Sequence, residues 1–590
     1  MLSMGQFSEG DYPAERGAEA VRPRTFASSQ ASDSDVYLSD PAIQKLVEFF
    51  QAKGLLAIKE EDRRESWYSD WLTYQAAHKL YASLLSPARF STIGASFDVL
   101  KLVRFLEVFA YFSPAHGYSL QVTFLGLSAI LAGENETLKK QAVAILEAGG
   151  LLAFGVSEKH HGSDLFGNEF TAKLIGADRY VANGSKYYIG NSQIASMIAV
   201  LARMEDAGTN RRSPFALFAL QPIGSQHVTQ VKKIRTSGVR AAYVGEFNVK
   251  NYEFGTGDMI AEGRGAWNAV FSAVTMGKFF LGFGSIGICE HALAEAIDHL
   301  TMRKLYGNRV IDLPHIRALA TQAYARLSAM KLYAYRALDY LHAASPTERR
   351  YELFNAVQKA KVTTEGVKVI ALLSECMGAK GFEVDTFIEM ARRDAQLIPA
   401  VEGSTHVNLA LAAQFLPRYF AHEGKELPEP PSLIAGEVES QENVHLMQAH
   451  AGSIHSITFG YFLEAYRPLM SVANVRLFAQ QAKRFALFVH HDQAKRFLKP
   501  GSETALAFGQ FLAMFAYGQA IAENCARCHI PLQNVSAVFH GLVEDISILA
   551  LSMASSAQLQ ERERKMMSRL LVAPRTSKAD WDWVADQMGR

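Results

Sequence analysis

The run Arg392-Arg393-Asp394-Ala395-Gln396-Leu397-Ile398-Pro399-Ala400-Val401-Glu402-Gly403-Ser404-Thr405 sets one carboxylate after an apolar segment broken by proline and before a glycine and two hydroxyl residues. A carboxylate that leaves an apolar segment at a turn is partly stripped of water. That raises its pKa and makes it a usable base near neutrality. The same residues also suit a plain helix junction, because acids beside glycine are common in turns and Ser404 or Thr405 can cap the helix that follows. Local chemistry leaves both readings open.

Other stretches carry reactive residue types. Glu158-Lys159-His160-His161-Gly162-Ser163-Asp164 holds four potential metal ligands. Adjacent histidines do not have the i, i+4 spacing that brings two rings to one ion, so no metal site is expected, and the loop's Ser, Gly and Asp suit a polar ligand edge instead. Cys525-Ala526-Arg527-Cys528-His529 matches the pattern of covalent haem attachment. Its flanks have helical spacing, and four cysteines in 590 residues (Cys289, Cys376, Cys525, Cys528) fit thiols in a reducing compartment. Gly282-Phe283-Gly284-Ser285-Ile286-Gly287 matches a dinucleotide fingerprint. The fingerprint needs a preceding strand, whereas Val270, Phe271 and Val274 before it and Leu293, Ala296 and Leu300 after it keep helical spacing, so close helix packing is expected. Lys483-Arg484 to Lys495-Arg496-Phe497-Leu498-Lys499 is basic and aromatic. Such a segment suits an anionic membrane surface or a packed helix with a solvated face, and packing is the favoured expectation.

The elements that must position these groups follow from periodicity. Residues 1–36 lack it and are expected to be a mobile tail. Ser39-Asp40-Pro41 opens a helical domain over 37–150, with Ile43, Leu46, Val47 and Phe50 on one face. Short runs divided by Gly, Asn and Asp predict a small β domain over 151–262, with a hairpin turn at Asn183-Gly184. Helical spacing returns for a bundle over 263–423. The Pro- and Glu-rich segment 424–440 is expected to be a linker, and 441–590 an additional helical domain carrying Leu477, Phe478, Phe485, Phe488, Val489 and Phe497. A formal net charge of +1 without long basic runs argues against nucleic acid as a partner. The acid-bearing N-terminus has no apolar signal core, which gives a cytoplasmic expectation, or one peripheral to the inner face of a membrane.

Taken together and in order, residues 40–420 resemble the acyl-CoA dehydrogenase family. Ser157 to Asp164 is similar to that family's T-E-P-x-x-G-S-D loop, and Lys186-Tyr187-Tyr188-Ile189-Gly190-Asn191 resembles its K-x-W-I-T-N flavin strand. Arg303-Lys304-Leu305-Tyr306-Gly307 is similar to R-x-x-F-G, Gly378-Ala379-Lys380-Gly381-Phe382 to G-G-x-G-[FY], and Arg393-Asp394-Ala395 with Glu402-Gly403 to R-D-A and Y-E-G-T. The resemblance implies a mainly α fold of helical bundle, β-barrel-like middle domain and second bundle. It implies FAD as cofactor and α,β-dehydrogenation of an acyl-CoA to the trans-2-enoyl thioester, as in fatty acid β-oxidation. Glu402 would abstract the α-proton while hydride passes to flavin N5. The base position that some members have elsewhere falls on Gly277, which cannot act.

The resemblance places Ser157, Gly162, Ser163, Tyr188, Gly190, Arg303, Tyr306, Glu375, Ala379, Ser404 and His406 at the cofactor, and Ser163, Lys278 and Gly403 at the substrate. Several of these depart from the family's usual residues: Gly190 for threonine, Tyr188 for tryptophan, Glu375 and His406 for glutamine, and Lys278 for arginine. Val401 likewise replaces the tyrosine before the base. The implied partners are an acyl-CoA or acyl carrier protein thioester, an electron-transfer flavoprotein and a second copy of the chain in a homodimer or tetramer. The extension resembles in size that of very-long-chain members, which implies peripheral membrane contact. His161-Gly162 resembles a pair in acyl-CoA oxidases, so an oxygen-using oxidase is one alternative. A non-catalytic acyl-thioester-binding or assembly protein is another.

Overall fold

The computed structural model describes residues 39–205, 214–421, 427–448, 454–490 and 502–588. The expected tail, the start of the linker and residues 491–501, with Lys495 to Lys499, lie outside them. The described residues begin with seven helices: α1 (Pro41–Lys53), α2 (Leu55–Arg64), α3 (Ser69–Ala77), α4 (Leu80–Leu85), α5 (Val99–Phe112), α6 (Pro114–Leu131) and α7 (Glu136–Glu147). Asp40 caps α1 by accepting the Ala42 N–H at 2.8 Å, and Ile43, Leu46, Val47 and Phe50 form its buried face. Helix α6 is buried almost all round because it lies between the sheet and the second bundle. Its Gly126 lets the backbone of Ala153 approach, since a Cβ there would sit 2.6 Å from the Ala153 carbonyl oxygen.

Strands β1 (Leu151–Gly155), β2 (Thr171–Leu174), β3 (Arg179–Gly190), β4 (Ala195–Met204), β5 (Phe215–Leu220), β6 (Val228–Lys233), β7 (Val244–Gly255) and β8 (Met259–Glu262) make one sheet in the order β6-β7-β3-β2-β4-β5-β8, with β1 pairing parallel to β4. Asn183-Gly184 is not the expected hairpin turn. Strand β3 runs straight through it, and both flanks pair with β7 across a register shift between Ala182 and Gly184. Gly184 has φ +142°, and a Cβ on it would lie 2.9 Å from Phe170 Cα, so the pair serves as a bulge pressed against its neighbour.

The second bundle comprises α8 (Arg264–Met302), a hairpin of β9 (Lys304–Leu305) and β10 (Asn308–Arg309), α9 (Pro314–His342), α10 (Tyr351–Val357), a π-helical turn (Gln358–Val362), α11 (Thr363–Met377), α12 (Phe387–Leu397) and α13 (Thr405–Tyr419). The glycines of the apparent dinucleotide fingerprint sit mid-helix in α8. A Cβ on Gly282 would lie 2.2 Å from Gln358 Nε2 and one on Gly287 2.0 Å from the Glu107 carbonyl oxygen, so they serve helix packing.

The extension contributes α14 (Ala473–Val489), α15 (Glu503–Arg527), α16 (Leu532–Ala554), α17 (Glu561–Ser568) and α18 (Lys578–Gln587). The described part of the expected linker, 427–440, is packed rather than free. Arg350 donates to the Pro428 carbonyl at 2.7 Å, Arg336 to that of Pro430 at 2.8 Å, and the Leu433 N–H to Asp339 at 2.9 Å. Composition suggested exposure, but proline carbonyls are free acceptors and these are taken by buried arginines. In α14, Phe478, Phe485 and Phe488 face the core, with Phe485 stacked on Phe511. Cys525 is buried within α15 and Cys528 ends that helix. No disulfide joins the four cysteines. By length and composition α8, α15 and α16 could each cross a membrane, yet α8 and α15 bury most of that surface inside the protein.

Candidate active site

Glu402 and Gly403 have φ of +53° and +87°, so two successive left-handed residues make the sharp turn between α12 and α13. Glycine takes that conformation freely, whereas for glutamate it is strained. Ser404 caps α13, its Oγ accepting the Val407 N–H at 3.5 Å. The turn sends the Glu402 side chain inward against α6 and α8. Its Oε1 accepts from Gln121 Nε2 at 2.9 Å, and the same amide donates to the Gly277 carbonyl at 2.9 Å. Its Oε2 is buried without a hydrogen-bond partner among the described residues and lies 2.6 Å from where a Cβ on Gly277 would be. Burial pushes the Glu402 carboxyl up to about 7, opposed by the Gln121 hydrogen bond and the charge of Lys359. Gly277→Ala therefore presses a methyl group onto this carboxylate and onto Leu125, 2.4 Å from the same point. We expect at least tenfold slower turnover with ligand binding retained, checked by rapid-mixing absorbance and equilibrium binding.

Two lysines share this region. Lys359 has no accessible surface, and burial lowers its pKa to about 8, with Glu402 opposing and Lys278 reinforcing the shift. Lys278 is also buried and also lowered to about 8 by burial, with Glu352 opposing. The Tyr118 hydroxyl is pushed up by burial and then by the Glu402 charge. Tyr118 also explains Gly190. A Cβ on Gly190 would lie 2.7 Å from Tyr118 Cε1 and 2.6 Å from Val122 Cγ2, so a larger residue there would displace the tyrosine.

On the sheet side, Ser157 Oγ donates to the Tyr187 carbonyl at 2.7 Å. Glu158 is buried, accepting the N–H groups of Glu169 (2.7 Å) and Phe170 (3.0 Å) and the ammonium of Lys186 (2.9 Å). That pair pins the loop to β3, so the four potential metal ligands do not converge. His161 instead turns to Asp164 at 3.5 Å and Glu169 at 3.7 Å. Gly162 and Ser163 are exposed, and Tyr188 is 59% exposed at φ +63°. Among the described residues, Glu61, Asp70 and His116 do converge. Lys53 bridges both acids, at 2.5 and 2.6 Å, so the trio is a charge-compensated ion-pair network.

Arg303, Tyr306 and Gly307 lie at the β9–β10 hairpin, whose turn residues Tyr306 and Gly307 have φ +54° and +81°. Tyr306 is 94% exposed, and the exposed Arg303 has no carboxylate partner among the described residues. Glu375 and Ala379 are exposed at the end of α11, Glu375 lining an open groove of about 1240 Å³ between α9, α16 and α18. His406 is exposed on the first turn of α13. The structure thus gathers Glu402, Gly403 and Lys278 around Gly277, sets Ser157, Tyr188 and Gly190 along the sheet side, and leaves Arg303, Tyr306, Glu375, Ala379 and His406 on the surface. Gln121, Tyr118 and Lys359 were missed. Gln121 alone had a signal, a lone amide in the apolar run Leu120 to Leu127.

Comparison with known proteins bears on the domains that carry these residues. Residues 153–252 match the family described as acyl-CoA dehydrogenase, middle domain, and residues 263–416 match acyl-CoA dehydrogenase, C-terminal domain. The chain is 25% identical to an acyl-CoA dehydrogenase of Bacillus subtilis over 55% of its own length and 84% of the relative's. It is 23% identical to a cyclohex-1-ene-1-carbonyl-CoA dehydrogenase of Syntrophus aciditrophicus over 68% of its length and 98% of the relative's. Among solved structures, an acyl-CoA dehydrogenase complexed with FAD from Bacillus anthracis superposes with TM-score 0.69 at 16% identity, covering 96% of each chain and so including the extension. Butyryl-CoA dehydrogenase from Megasphaera elsdenii superposes with TM-score 0.57 at 20% identity, covering 66% of this chain and 99% of that one. One match falls on the sheet and the other on the bundle that carries Glu402, so residues 153–252 and 263–416 carry the middle and C-terminal domains of the acyl-CoA dehydrogenase family.

Proposed function

We propose that this chain is an FAD-dependent acyl-CoA dehydrogenase in which Glu402 removes the α-proton of an acyl thioester. The observation that carries the reading is Glu402 Oε2, a buried, partnerless carboxylate oxygen facing the bare Cα of Gly277. A base needs one oxygen held and one free, and Gln121 holds the other. Burial sets the carboxyl near 7, where a useful fraction is ionised and the proton once taken is kept.

The residues present fit FAD. The exposed Arg303, without a carboxylate partner among the described residues, suits its phosphates, and the exposed ring of Tyr188 together with the loop at Gly162 and Ser163 suits its flavin end. FAD supplies the acceptor for the β-hydrogen, which leaves as hydride. Because Arg303 and Tyr306 project from a surface hairpin, they suit a cofactor shared with a second copy of the chain.

Anaerobic mixing with a panel of acyl-CoAs should bleach the flavin, and failure with every chain length would remove the reading. Hydrogen peroxide produced in air as fast as the dye is reduced would assign an oxidase instead. The bleaching rate should rise with pH and level off above an apparent pKa near 7, because only the ionised carboxylate accepts the proton. In Gln121→Leu the carboxylate loses the hydrogen bond that favours its charged form, so the rising limb moves to higher pH. An unmoved limb would show that Glu402 is not the titrating group.

A further inference from the structure

The π-helical turn Gln358–Val362 between α10 and α11 places Gln358 and Lys359 in the interior, both with no accessible surface. Such turns are rare and recur at functional sites. Among the described residues, neither atom of the Gln358 amide has a hydrogen-bond partner, and neither has the Lys359 ammonium. Room for the amide exists because Gly282 has no side chain opposite it. A buried ammonium without a partner is costly, and an unpaired buried amide on the residue before it adds to that cost. Tuning of Glu402 does not account for the arrangement. The Lys359 ammonium and Glu402 Oε2 attract each other, yet each is left unbonded, so the orphan donor and orphan acceptor do not satisfy one another. The nearby charges leave a positive surplus, since Lys278 faces the same region while Glu352 is already paired with Arg349 at 2.7 Å.

We infer that Gln358 and Lys359 form a subsite for a carboxylate carried on the acyl chain, so that the substrate class is an anionic, dicarboxylic acyl thioester. This rests on the reading of Glu402 as the acyl-thioester site. The ammonium would pair with the carboxylate and the Gln358 amide would donate to it, while Oε2 stays free for the α-carbon.

The test is calorimetric binding of matched pairs to the FAD-loaded protein: glutaryl-CoA against valeryl-CoA, and adipyl-CoA against hexanoyl-CoA. In wild type the carboxylated member of at least one pair should bind about tenfold tighter. Lys359→Met should bring that ratio close to one, and Lys359→Arg should keep most of it. A wild-type ratio at or below one for both pairs overturns the proposal without need of any variant. A ratio unchanged in Lys359→Met overturns it too. Flavin bleached equally by both members of each pair, with no binding preference, removes the subsite and leaves the dehydrogenase standing. A carboxylate preference without bleaching by any thioester removes the dehydrogenase and leaves the subsite.

Discussion

Glu402→Gln is expected to purify with FAD bound and to bleach about 10³-fold more slowly than wild type with every thioester that wild type uses. Glutamine keeps the shape, and its carbonyl can still accept from Gln121 at the place of Oε1, so the turn and the contact between α6 and α13 survive. What is lost is the proton acceptor on the Gly277 side. The pH-dependent limb near 7 should vanish with it. Comparable rates in the two proteins, measured by stopped-flow absorbance, would mean that another group takes the proton. Gly277 cannot be that group, and Glu352, already paired with Arg349, would be the next to replace.

The outline of the Glu402 site was legible in the sequence because its determinants are local. Pro399 and Gly403 mark the turn, and the apolar segment before the carboxylate foretold burial and the direction of its pKa. The partners were not legible. Gln121 reaches Glu402 across 281 residues of chain, and nothing in its own helix says which neighbour it will meet. Lys359 sits in an apolar helical pattern where a lysine normally marks a solvated face, yet within the π-turn it is fully buried. Asn183-Gly184 misled for a related reason. The dipeptide permits a tight turn, but whether the chain reverses depends on β7, which pairs with both flanks. Composition likewise marked 424–440 as a linker, whereas carbonyls taken by buried arginines make its described part, 427–440, a strap. Cys525-x-x-Cys528-His529 keeps its haem-like spacing while its first thiol lies in a helix core, because spacing along a chain does not specify which face of a helix is covered.

Arg336→Met should destabilise the protein by about 3–5 kcal/mol, the loss expected when one partner of a buried ion network is removed. The Arg336 guanidinium has no accessible surface and joins α9 to the extension. It donates to Glu523 at 2.7 Å, to Asp339 at 2.9 Å and to the Pro430 carbonyl at 2.8 Å. Without it the donors left to the Glu523 carboxylate among the described residues are neutral, Tyr340 at 3.1 Å and Gln519 at 2.8 Å. Asp339, already raised to about 6 by burial against the pull of Arg336, would rise further and take a proton. Urea unfolding followed by fluorescence should show an earlier transition, and limited proteolysis should cut first in 427–440, whose strap loses its anchor. The double variant Arg336→Met, Glu523→Leu separates two causes. If the cost lies in the orphaned Glu523 charge, the second change recovers most of it, because an apolar pair of similar volume replaces the ions and Asp339 can stay protonated. If the double variant is no more stable than the single one, the loss comes instead from the broken contact with the strap, and the extension is held by the Pro430 carbonyl rather than by charge.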